Sequence, residues 1–201
     1  MLDEGYIKYE SHWTPGPATH VTAARELERW RRPLYEAQLI GEYKEHGIGY
    51  GNLSVRRGSS DLFLISGTQT GHLPVTDENH YSLVTDCDIR SNVVRCSGPI
   101  QASSEAMTHA SIYALGDAIG AVVHVHSEEL WQRYMDDLPT TDPGIAYGTP
   151  DMAQEIDRLY RMAGFRESGV AVLAGHEDGL ISFGTTLEEA ALRMLNLCCP
   201  D

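Results

Sequence analysis

The stretch Ile119-Gly120-Ala121-Val122-Val123-His124-Val125-His126-Ser127 is apolar and rich in valine, apart from its two histidines. An apolar run of this kind, without polar alternation, predicts a strand over residues 119–125 buried on both faces at the centre of a sheet. Alternate side chains of a strand share a face, so His124 and His126 point the same way, ~7 Å apart along the chain. Two imidazoles so placed can ligate one divalent ion if the fold supplies a third group. The competing possibility is a pair of half-buried histidines bonded to backbone.

Outward from this strand the pattern alternates between short strands and helices. Strands are expected at 50–56, 62–66, 81–86, 92–96, 170–174 and 180–183. Glycine-rich turns separate them, among them Gly58-Ser59-Ser60, Gly67 to Gly71 and Gly98-Pro99. Helices are expected at 22–46, with a kink or restart at Pro33, at 103–115 opened by a serine cap, and at 129–135, 151–162 and 187–197. Thr149 or Asp151 can cap the fourth of these. Residues 1–20, with His12-Trp13-Thr14-Pro15-Gly16-Pro17, are expected to form an irregular arm, and 21–201 a single domain. Strands bunched in the middle with helices around them give an α/β class with one mixed sheet.

Composition narrows the function. The 201 residues carry 15 basic and 29 acidic side chains, a formal net charge of −14. Nucleic acid is therefore not an expected partner, because neutralising phosphates needs a basic face. The densest basic spots, Arg29-Arg31-Arg32 and Arg56-Arg57, sit among acidic neighbours. A small anion is still admissible, since backbone N–H groups can hold one. No apolar run reaches the ~20 residues that cross a bilayer, and no secretory signal is expected at the N-terminus. Cys87, Cys96, Cys198 and Cys199 form no CxxC pair, so free thiols in a reducing, cytoplasmic setting are expected.

Two further segments bear on the histidine pair. His176 follows a β-branched strand in Ala174-Gly175-His176-Glu177-Asp178-Gly179, where a turn can aim a side chain out of a strand end. Glu105, in Ser103-Ser104-Glu105, stands at an expected helix start, a position that complements the helix dipole and offers an anion site. His12, His20, His46, His72, His80 and His109 sit in arm, turn or helix contexts and are not expected to be ligands.

The order Gly51-Asn52-Leu53-Ser54, Ile65-Ser66-Gly67, Ser103-Ser104-Glu105, His124-Val125-His126, Gly175-His176 resembles the class II aldolase/adducin family over roughly residues 30–197. That family includes fuculose-1-phosphate aldolase and ribulose-5-phosphate 4-epimerase. The resemblance implies a three-layer α/β/α domain with a central, mostly antiparallel sheet, and a homotetramer with active sites between subunits. It implies zinc, or another divalent ion such as Mn2+ or Co2+, on His124, His126 and His176. Glu105 would be both a ligand and the acid/base group. A small-molecule phosphate would be held by Asn52, Ser66, Gly67, Ser103 and Ser104, with Thr68 beside them. The family's epimerases carry Asp at the Glu105 position and Lys where this chain has Leu64, so lyase chemistry of the aldolase type is expected. A hydroxyketone or keto acid would then be cleaved through a metal-stabilised enediolate. Epimerase, dehydratase or decarboxylase chemistry on the same metal, or a non-catalytic adducin-like binding domain, are the alternatives. The family aldolases' mobile tyrosine, expected about twenty residues after the histidine pair, has no clear counterpart here: Tyr147 falls by motif nearer the following segment, and Tyr134, Trp131 or a residue of the N-terminal arm could serve instead.

Overall fold

A computed structural model describes residues 5–58, 62–162 and 164–199. Arm residues 1–4, the 59–60 turn and residues 200–201 of the expected domain fall outside them. An eight-stranded sheet in the order β1-β7-β6-β5-β4-β8-β10-β9 divides the molecule. Its strands are β1 (Glu10–Pro15), β4 (Asn52–Arg56), β5 (Phe63–Ser66), β6 (Tyr81–Asp88), β7 (Val93–Gly98), β8 (Ala121–His126), β9 (Val170–Val172) and β10 (Gly179–Gly184). All neighbours pair antiparallel except β1 with β7.

Period-two alternation sends side chains to two separate cores. Val122, Ile65, Phe63, Ile181 and Phe183 pack with α2 (Ala106–Tyr113), α4 (Pro150–Arg161) and α5 (Phe165–Ser168). Ala121, Val123, Val125, Leu53 and Leu180 pack with α1 (Val21–Glu36), α3 (Glu128–Tyr134) and α6 (Leu187–Leu197). The three layers are those of an α/β/α domain. Every residue of β8 is buried, as its unbroken apolar run requires.

Helix starts follow the capping chemistry. Ser127 caps α3 by accepting from Leu130 N, and Thr186 caps α6 through Glu189 N. Thr149, not Asp151, caps α4 through Met152 N. At α2 the expected serine cap is absent: Glu105 is the N-cap without a side-chain bond, and Ser103 Oγ instead accepts from Glu105 N at 3.2 Å.

Two further expectations change. Helix α1 ends at Glu36 rather than His46, and it runs through Pro33 without stopping. Gln38 then adopts a left-handed φ of 60°, and 41–50 turns into the hairpin β2 (Gly41–Tyr43) and β3 (Ile48–Tyr50). The arm is not wholly irregular either, because Glu10–Pro15 adds a parallel edge strand against Val93–Gly98. Pro15 fits there because an edge strand does not need every N–H. None of the described helices is long and apolar enough to cross a membrane.

Candidate metal centre

The centre lies at the end of β8 on the face covered by α2. His124 and His126 project from that strand on one face, and β10 runs antiparallel beside it, with Gly179 opposite His126 and Ile181 opposite His124. The turn before β10, closed by Gly179 N donating to His176 O at 2.9 Å, brings His176 back over the strand pair. Its ring stacks 5.0 Å from that of His124 and meets that of His126 edge-on at 4.7 Å. Ligand atoms of the three histidines lie within 4.8 Å of one another, and all three residues are buried. Gly179 leaves the rings room, since a Cβ there would sit 3.3 Å from both His124 Cε1 and His176 Cγ.

Hydrogen bonding orients the rings. His124 Nδ1 lies 3.0 Å from Leu180 O, which can only accept, so the proton is on Nδ1 and the Nε2 lone pair faces inward. His126 Nδ1 lies 2.9 Å from the Tyr43 hydroxyl, whose own hydrogen goes to Asp178 Oδ2 at 3.0 Å. His124 Nε2 and His126 Nε2 then approach to 2.9 Å with lone pairs facing, an arrangement that a cation between them relieves. Burial, with His176 alongside, pushes the His126 imidazole well below its ordinary value and keeps it in the neutral form a metal needs. A tetrahedral ion with bonds of about 2.1 Å sets its ligands about 3.4 Å apart. The observed 2.9 Å contact and 4.8 Å limit bracket that value, so small ring rotations suffice and the donor set fits a divalent ion.

Glu105 reaches the same place from the start of α2. It is fully buried, with Oε1 3.3 Å from His176 Nδ1, and lies beside the three-histidine group. Asn52 is the register partner of His124, and its Oδ1 is buried without a hydrogen-bond partner. The two serine segments are joined by a bridge between Gly67 and Ala102, with Ser103 N donating to Ser66 O and Thr68 N to Gln101 O. Ser66 Oγ is engaged with the backbone of Leu53, and Ser103 Oγ with Glu105 N. Asn52, Ser66, Gly67, Thr68, Ser103 and Ser104 are thus brought together at one edge of the centre, next to Glu105.

Further neighbours close around the centre. Tyr147 is 1% exposed and stacks on His176 with ring centroids 4.2 Å apart. Its hydroxyl donates to Tyr6 O, and Lys8 Nζ sits 3.7 Å over its ring. Tyr9 OH donates to Ser103 O at 2.7 Å, so residues 6–9 of the arm close over this side. Tyr147, set aside by its motif context in the sequence, is thus the tyrosine that stacks on the histidine group, whereas nothing in the sequence singles out Lys8 or Tyr9. Trp131 and Tyr134 instead pack in the opposite layer, bonded to Leu173 O and Leu197 O. His109 is a core histidine bonded to Ser54 Oγ, and burial lowers its pKa to about 3.

Solved structures share this architecture. L-fuculose 1-phosphate aldolase superposes with a TM-score of 0.65 at 20% identity, over 90% of this chain and 84% of the other. A sugar-phosphate aldolase from Thermotoga maritima gives 0.66 at 15% identity, over 88% and 90%. YgbL from Escherichia coli, described only at the level of aldolase/epimerase/decarboxylase, gives 0.63 at 20%, over 88% and 84%. No functionally curated protein matches in sequence. Residues 34–198 match the family described as Class II Aldolase and Adducin N-terminal domain, and the chain belongs to that family.

Proposed function

We propose that this chain is a metal-dependent lyase of the aldolase type, acting on a small phosphorylated hydroxyketone or keto acid. The observation that carries the reading is the convergence of His124, His126 and His176 beside the buried carboxylate of Glu105. Zinc fits the all-nitrogen donor set, with Mn2+ or Co2+ as substitutes. Once bound, the ion supplies a Lewis acid that draws off the negative charge developing on the substrate oxygen as the carbon–carbon bond breaks. Glu105, held dry against His176, is the group that holds and returns the proton. Asn52, with its open buried valence, and the serine segments at 66–68 and 103–104 orient the phosphate without a cation in the cradle itself. Leu64, where the resemblance places the epimerases' lysine, is a buried residue of the opposite core and offers no second proton carrier, which favours cleavage over epimerisation.

The same reading includes a homotetramer in the cytoplasm with sites at subunit boundaries. Light scattering tests it at four times the 22.2 kDa chain mass. The chemistry is tested by metal analysis of the purified protein together with retro-aldol assays over a panel of sugar phosphates. About one divalent ion per chain and aldehyde release are expected, both lost in His124→Ala. Protein that holds no ion, and that no added ion activates, would sink the proposal.

A further inference from the structure

The hairpin β2–β3 crosses the outer side of the histidine centre and brings two tyrosines to it. Tyr43 meets the His126 ring edge-on with centroids 5.9 Å apart, and Tyr50 packs 5.5 Å from the same ring and 4.7 Å from Tyr43. The Tyr43 hydroxyl lies between two partners, His126 Nδ1 at 2.9 Å and Asp178 Oδ2 at 3.0 Å. Asp178 is placed for this by its backbone. It occupies the left-handed region at φ 64°, and its carbonyl accepts from Ser127 N at 2.9 Å, which ties it to the strand end that carries His126.

A phenol has one hydrogen to give. A carboxylate only accepts, so that hydrogen goes to Asp178 and the Tyr43 oxygen accepts from His126 Nδ1–H. With Asp178 ionised, no other assignment of hydrogens satisfies both contacts. The imidazole is thereby held in the tautomer whose Nε2 lone pair faces His124 and His176.

We propose that Tyr43 and Asp178 are positioning residues for the metal centre: the carboxylate orients the phenol, and the phenol fixes the tautomer and angle of His126. This rests on the reading that the three histidines hold a divalent ion. The three rings then reach their geometry by different devices, a main-chain carbonyl for His124, a carboxylate contact for His176 and this two-residue relay for His126. A carboxylate or its proxy behind a ligating imidazole raises its basicity, and losing such a partner typically costs 10–100-fold in metal affinity.

The test uses full-length protein stripped of metal and titrated with zinc against a chromophoric chelator, as wild type, Tyr43→Phe, Asp178→Asn and the double variant. Tyr43→Phe is expected to weaken zinc binding about 10–100-fold. Asp178→Asn should cost less, because the amide oxygen still accepts. The double variant should match Tyr43→Phe alone, since the carboxylate acts only through the phenol. Unfolding of the metal-free variants at the wild-type temperature shows that the loss is not a folding defect. Long-range proton–nitrogen spectra of the metal-free wild type should show His126 protonated at Nδ1, and a mixture of tautomers in Tyr43→Phe. Equal zinc affinity in Tyr43→Phe, additive losses in the double variant, or a wild-type His126 protonated at Nε2 would each overturn the relay. Wild type that binds no zinc would instead refute the metal reading and the affinity claim with it, and the spectrum, which needs no metal, would judge the tautomer separately.

Discussion

Arg31 offers a quantitative test of how the candidate anion loop is held. It belongs to a basic cluster set among acidic neighbours in the sequence, yet its side chain is only 1% exposed. Its Nη2 donates to the carbonyls of Thr70, Gly71 and Leu73 at 3.1, 3.1 and 2.6 Å, and its Nη1 lies 3.8 Å from Glu28 Oε2. Glu28 in turn accepts from Thr76, which is bonded to Tyr81. The segment so fixed, residues 70–73, directly continues the Gly67-Thr68 turn that borders the metal centre. Arg31→Met keeps the apolar stem and removes the guanidinium. Each hydrogen bond to a charged group contributes about 1.5–3 kcal/mol, and three sharing one donor group add less than independently. A total loss of about 3–5 kcal/mol is expected, the range for removing one partner of a buried ionic contact. For a chain of this length that corresponds to roughly 6–20 °C in Tm. Urea denaturation measures the loss, and amide exchange of residues 68–73 should speed up well beyond the global change. A loss under about 1 kcal/mol with unchanged exchange would show that the loop carbonyls find other donors and refute the reasoning.

Three other perturbations follow from the geometry. Gly179→Ala puts a methyl 2.9 Å from His176 O and 3.3 Å from two of the ligand rings. It should cost about 1–3 kcal/mol in stability and weaken zinc binding about tenfold or more; wild-type affinity in the titration would contradict it. Glu105→Gln should retain bound zinc while turnover falls roughly 10²–10⁴-fold, as for loss of a proton-transferring group; unchanged turnover would remove Glu105 from the chemistry. Glu155 accepts from Arg158 and from Asp142 N, and the Arg158 hydrogen bond holds its carboxyl below the ordinary value. A depressed carboxyl contributes stability that is present above its unfolded pKa and is lost as pH falls through the folded one. Glu155→Gln should therefore flatten the acid limb of a stability–pH curve below about pH 4.5, and parallel curves would exclude this pair as its source.

The elements that local pattern specifies are those whose burial is symmetric or whose caps are chemical. Strand β8 reads directly because both its faces are covered, and α4 because Thr149 announces it. Strand β1 does not, because it is an exposed edge that pairs with β7, about eighty residues on. The hairpin at 41–50 carries no Asn-Gly or Asp-Gly signal, so the helical periodicity of α1 runs into it unopposed in the sequence. The break is set by tertiary contact: Gly71 packs so tightly on the carbonyls of Gly41 and Tyr50 that no larger residue fits. The candidate ligands were legible because an imidazole pair at period two is chemically conspicuous. Tyr43, Asp178 and Lys8 are not, since each is an ordinary residue type made significant by what folds next to it.

Register decides whether the centre exists at all. In β8 the residues at 121, 123 and 125 belong to the core with α1, α3 and α6, while Val122, His124 and His126 face α2. Slipping β8 by one residue against β4 and β10 exchanges these faces. Both imidazoles would then enter the apolar layer around Leu53 and Leu180, where each ring nitrogen left without a partner is costly. Val123 and Val125 would meanwhile face Glu105 and Asn52. The valines that look like inert filler between the histidines therefore hold the candidate ligands to their face, and the same pairing sets Asn52 opposite His124. Making residue 123 or 125 polar would thus disturb the candidate metal centre without touching any of its three histidines.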